Sequence, residues 1–75
     1  MNEPLYIDLA HELHRAIDAG EFKGGRLPSQ TAIARTHGVA RITVSKAIKV
    51  LKRRGIVHTT YLGTFVGPQP ESNDD

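Results

Sequence analysis

Apolar residues recur early in the chain at Tyr6, Leu9, Ala10, Leu13, Ala16 and Ile17, spacings that put them on one side of a helix over about Leu5 to Ala19. Pro4 stands where a missing N–H costs nothing, Glu3 and Asp8 lie near the positive end of the helix dipole, and Gly20 stops the helix. After Pro28, Ser29 caps a second helix over about Gln30 to His37, with Ile33, Ala34 and His37 turned inward. A third stripe, Val44, Ala47, Ile48 and Leu51, marks a helix over about Arg41 to Arg54 that Gly55 ends. Ala40 precedes it where Ser, Thr, Asp or Asn is preferred, an omission worth roughly 1 kcal/mol.

Between the first two helices, residues 21–28 form a connector, with Gly24 and Gly25 for a turn, Phe22 and Leu27 as apolar anchors, and a very short strand starting at Leu27. From Ile56 the period changes. Residues 56–61 are β-branched and partly alternating, Leu62 and Gly63 can turn, and Thr64 to Val66 make a second strand. Such a hairpin is marginal alone, so Phe65 and Ile56 are expected to pack on the helices. Residues 67–75 are polar, proline-broken and acidic, which predicts a disordered tail behind one domain at 1–66. The fold class is therefore mainly α with a small β-hairpin, a winged helix-turn-helix.

The centre of this pattern is Ala34, Gly38 and Val44. A small residue lets two helices cross closely, a glycine takes the left-handed conformation that turns the chain, and Val39 fills the corner. The buried stripe of the third helix leaves Ile42, Ser45, Lys46, Lys49 and Arg53 on the free face, with Arg41 at its start and no acid among them. In DNA-binding versions of the motif this helix lies in the major groove, its N-terminal residues on base edges.

Charge sharpens that reading. The chain has 75 residues and a formal net charge of +2, but no Asp or Glu falls between residues 22 and 70, where nine of the ten Lys and Arg are found. A single-sign segment attracts polyanions before any specific contact forms; the alternative is a surface that is basic by accident. There is no Cys, so disulfides and thiolate metal sites are excluded, in keeping with a reducing cytoplasm. No apolar run reaches the ~18 residues of a membrane span. His11 and His14 are three apart but lack further ligands, and no nucleophile motif, phosphate loop or paired carboxylate appears, so neither a metal, a cofactor nor an enzyme is expected.

Pro4-Leu5-Tyr6, Gly20-Glu21, Leu27-Pro28-Ser29, Gly38-Val39 with Arg41, Thr43-Val44, Leu51, Gly55-Ile56-Val57 and Gly63-Thr64-Phe65-Val66 share an order and spacing over residues 4–66. In these strings the chain resembles the N-terminal winged helix-turn-helix of the GntR (gluconate-repressor-like) transcription regulators. The resemblance implies a bacterial, nucleoid-associated cytoplasmic protein that binds double-stranded operator DNA, usually as a repressor. By the same resemblance Arg41 and Thr43 match DNA-contacting positions at the start of the recognition helix, and Gly63 and Thr64 match the wing. Three departures stand out. Thr31 replaces a common basic residue, leaving only a hydroxyl contact, Ile42 occupies a usually polar position, and Ser45 one that is commonly Arg. The wing has Tyr61 and Leu62 where the family usually has a glycine and a basic tip. The family's larger effector-binding and dimerising domain has no counterpart in these 75 residues: either the sequence is a piece of a longer protein, or it is a minimal member with no small-molecule input of its own, and the expectation is a monomer or weak homodimer that assembles cooperatively on paired half-sites.

The candidate DNA-contacting set is thus Ser29, Thr31, Arg41, Ile42, Thr43, Ser45, Lys46, Lys49, Tyr61, Gly63 and Thr64. Arg41 is the choice for direct readout, because its planar fork can bond guanine O6 and N7 together; a phosphate or surface ion-pair role is the alternative. Ile42 suits a thymine methyl, or else a slot against the wing or a partner. Lys46, Lys49, Lys52, Arg53 and Arg54 suit phosphates. Tyr61 and Leu62 either press on the sugar-phosphate rail or form a small apolar contact with a second copy, and internal packing is the further alternative for Tyr61. Two rival functions use the same residues differently: a protein-interaction module presenting Ile42, Tyr61 and Leu62, and a sequence-independent DNA-coating protein. The tail's Glu71, Asp74 and Asp75 are either inert or a mobile anion competing for the basic face.

Overall fold

The computed structural model describes residues 4–69. Three helices, α1 (Leu5–Asp18), α2 (Gln30–His37) and α3 (Arg41–Arg53), precede two strands, β1 (Val57–Thr60) and β2 (Gly63–Val66). The expected helices are present, with α1 and α3 each one residue shorter. Of the tail expected over residues 67–75, residues 70–75 lie outside the described residues, whereas Gly67 is ordered against the hairpin, its N–H donating to the Ile56 carbonyl at 2.7 Å.

The core forms where the three helical stripes meet. Leu9, Ala10 and Leu13 of α1, Ile33 and Ala34 of α2, and Val44, Ala47, Ile48, Val50 and Leu51 of α3 make one buried cluster with Leu27 and Val57. No polar side chain among the described residues is buried. Val50 is an addition to the expected stripe. It widens the apolar face of α3, which must serve both α1 and the sheet. Ser29 Oγ accepts the Ala32 N–H at 3.1 Å, as its capping role requires. Gly38 closes α2 at φ 66°, and the Val39 N–H that follows donates to the Ala34 carbonyl at 3.0 Å. That turn lets α3 start at Arg41 and pack against α2, with Ala34 in the shared core.

Three expectations need correction. His37 is exposed. The α2 contact with the core ends at Ile33 and Ala34, and Val39, half-buried beyond the turn, fills the corner. The wing turn falls at Tyr61 and Leu62, so Gly63 begins β2 and Ile56 precedes β1. Phe65 is not the wing's anchor. In the antiparallel register Val57 faces Val66 and His58 faces Phe65, and side chains alternate between faces. Val57, only 2% exposed, is the residue that enters the core. Phe65 belongs to the other face, stacked on His58 with ring centroids 5.6 Å apart. Ile56 does pack against the core, as expected. The short strand expected at Leu27 reduces to one bridge between Arg26 and Phe65, followed by the Leu27 N–H donating to the Thr64 carbonyl at 2.9 Å.

Candidate nucleic-acid interface

Burying Val44, Ala47, Ile48, Val50 and Leu51 forces the remaining side of α3 outward. Arg41, Ile42, Lys46 and Lys49 are exposed on it, and Thr43 and Ser45 are half-buried at its margin. Ile42 is 62% exposed, so no wing slot covers it. The expected major-groove residues therefore share one surface. Because they lie on a single helix whose opposite side is locked in the core, their spacing is rigid.

The second group gathers elsewhere. Ser29, Gly63 and Thr64 border a depression of about 640 Å³ between the connector, the start of α2 and the wing, together with Gln30. Thr31 is exposed on the first turn of α2. Tyr61 is 96% exposed and Leu62 57%, so the turn between the strands projects both. Internal packing of Tyr61 is thereby excluded.

Two cations border this depression that the sequence alone did not single out for DNA contact, Lys23 and Arg26. Arg26 lies with its guanidinium carbon 6.0 Å from the centre of the Phe65 ring. The only sequence signal was their charge within an acid-free segment. All nine Lys and Arg of that segment are exposed. The two ion pairs found among the described residues, His14 with Asp18 and Arg15 with Glu12, are both on α1. Cations on the connector, α2, α3 and the turn that follows it thus form no ion pair with a carboxylate of the described residues, and their field adds outward.

The family model of the bacterial regulatory proteins, gntR family, matches residues 5–66, from the first residue of α1 to the last of β2. The chain belongs to the GntR family. Among its relatives, the HTH-type transcriptional regulator GgaR of Escherichia coli K12 is 39% identical over 57 residues, 75% of this chain and 23% of GgaR. The mannosyl-D-glycerate transport/metabolism system repressor MngR of the same organism is 34% identical over 67 residues, 87% of this chain and 28% of MngR. This GntR chain therefore spans about a quarter of the curated relatives it matches. Among solved structures, the DNA-binding domain of AraR in complex with operator ORE1 superposes with a TM-score of 0.80 at 28% identity, over 89% of this chain and 84% of that one. This GntR chain shares its winged helix-turn-helix architecture with that operator-bound AraR domain. No helix among the described residues is long and apolar enough to cross a membrane.

Proposed function

We propose that this chain is the operator-reading domain of a transcription repressor, inserting the start of α3 into the major groove of double-stranded DNA. The observation that carries the reading is the outward face of α3, where Arg41, Ile42, Lys46 and Lys49 are exposed on a helix whose other side is core. Arg41 supplies bidentate readout of a guanine, worth roughly 1–3 kcal/mol against the wrong base. Thr43 and Ser45 donate hydroxyls to base edges or phosphate. Lys46 and Lys49 set register on the backbone. Ser29 and Thr31 approach the backbone from α2, and Gly63 and Thr64 do so from the wing, with Tyr61 pressed on the sugar-phosphate rail. Two copies on half-sites about one helical turn apart would bind cooperatively. The domain, residues 1–66, carries no catalytic group in this scheme and works in the cytoplasm, where the operator is.

A second reading is favoured by the exposure of Ile42, Tyr61 and Leu62, which would serve a protein partner equally well. One experiment separates the two. Preferred duplexes are selected from a random pool, and the winner is titrated against scrambled DNA at about 50 and about 200 mM salt. The operator reading requires a compact motif bound at least about a thousandfold more tightly than scrambled sequence. Binding without preference means a DNA-coating role, and no binding at either salt means the interaction module.

A further inference from the structure

The wing has no Lys or Arg between residues 57 and 66. A cation is nevertheless placed against it from another part of the chain. We infer that Arg26, on the connector, is the wing's phosphate-binding cation, and that the depression it borders takes one backbone phosphate of the duplex whose major groove receives α3. The inference rests on the operator reading above.

Backbone geometry sets the position first. The bridge between Arg26 and Phe65, followed by the 2.9 Å bond from the Leu27 N–H to the Thr64 carbonyl, lays the connector along β2. Leu27, 4% exposed, then pins the connector to the core. From there the Arg26 side chain runs over the Phe65 ring and across Gly63. A Cβ built on Gly63 would sit 3.1 Å from Arg26 Nε and 3.3 Å from Nη2, tighter than ordinary contact, so the absence of a side chain there makes room for the guanidinium. The φ of 134° at Gly63 is itself a conformation that other residues rarely adopt.

Arg26 is thus held by an aromatic ring and a bare backbone. No carboxylate among the described residues forms an ion pair with it, and the residue is exposed. Its charge and its planar fork of donors remain available, and phosphate is the partner that such a fork suits. The same depression is bordered by Lys23, by Gln30 and Thr64 as neutral hydrogen-bonding groups, and by Ser29, whose oxygen accepts from Ala32 while its hydroxyl proton stays free to donate. Glu21 is the one acid on its border. The phosphate belongs to DNA rather than to a small molecule because β1 follows α3 after only the turn at 54–56 and buries Val57 against the helices. A duplex seated on α3 passes its backbone by the wing.

The test uses the full chain and the selected duplex. Arg26→Gln keeps the side-chain stem on Phe65 and removes the charge, and Arg26→Lys restores the charge without the fork. Gly63→Ala leaves the charge in place and displaces the guanidinium. Affinities are measured over a salt series and on duplexes in which single phosphates are replaced by neutral methylphosphonates, with thermal melting to verify folding. The inference requires that Arg26→Gln make the slope of log K against log salt less negative by about 0.9, the value for one phosphate. It must weaken preferred and scrambled duplexes alike, and Arg26→Lys must recover most of the slope. One methylphosphonate position must weaken the unsubstituted protein but not Arg26→Gln, and Gly63→Ala must lose sensitivity at that same position. Identical slopes and identical methylphosphonate patterns for the unsubstituted protein and Arg26→Gln would overturn the role of Arg26 while leaving the operator reading intact. Failure of the unsubstituted protein to bind any duplex would overturn both.

Discussion

Lys46 Nζ lies 5.8 Å from the centre of the Tyr6 ring, which ties a cation on the outward face of α3 to the first turn of α1. An exposed cation–π contact of this kind contributes about 0.5–1 kcal/mol and limits where the ammonium can go. Tyr6 is half-buried and packs on the core, so its ring is itself well placed. We expect Tyr6→Leu to free Lys46 and weaken binding to preferred and scrambled duplexes by the same few-fold factor, whereas Tyr6→Phe retains the ring and the affinity. Equilibrium titration of both variants decides; a loss confined to the preferred sequence would mean that Lys46 reads a base.

Arg41 and Lys52 are both exposed, at opposite ends of α3. Arg41→Ala should erase most of the preference for the selected sequence, a loss of roughly 1–3 kcal/mol in discrimination. Lys52→Ala should weaken every duplex by a similar, smaller factor and flatten the salt dependence. Competition binding against scrambled DNA measures both, and equal losses on every sequence would remove readout from Arg41.

Ile42 offers an aliphatic side chain that is 62% exposed one residue into α3. If it lies on a thymine methyl, replacing that thymine by deoxyuridine should weaken the native protein by a few-fold, in line with ~0.8 kcal/mol for one buried methyl-sized group. The substitution should leave Ile42→Ala almost unaffected. Additive losses in the four-way comparison would show that the methyl and Ile42 do not meet.

Ala40 already has N-cap geometry, φ −73° and ψ 152°, but has no side-chain acceptor for the free N–H groups of α3. Ala40→Ser should therefore stabilise the fold by roughly 0.5–1 kcal/mol, a rise of about 4–8 °C in Tm for each kcal/mol in a domain of this size. Ala40→Asp should stabilise comparably through the cap and the helix dipole. It also sets a carboxylate beside Arg41, so DNA affinity should fall as Tm rises. Melting and titration on the same samples test the opposed signs.

The helices were legible in the chain because their signals are local. Stripes at spacings of three and four, the cap at Ser29 and the stops at Gly20, Gly38 and Gly55 act within a few residues, and the observed ends of α1, α2 and α3 agree to within one residue. The outward set on α3 follows from the same periodicity once Val44, Ala47, Ile48 and Leu51 are inside. Val50 was not legible, because its burial depends on how much of α3 its neighbours cover.

The wing marks the boundary between the two kinds of information. β-branched residues from Ile56 onward announced a hairpin, but which of Val57 and Phe65 points inward depends on strand parity, set by a turn one residue earlier than the Leu62-Gly63 pair suggested. His37 turned out exposed because, on the last turn of α2, Ala34 is the residue that faces the core. Three amphipathic helices, a hairpin and an acid-free basic stretch could be read directly from the residues, because all are properties of near neighbours. The placement of Arg26 over Phe65 and across Gly63 emerges from folding alone. That approach joins distant parts of the chain through a one-residue bridge and the missing side chain of Gly63, and contacts that depend on packing leave no periodic trace in the residues that make them.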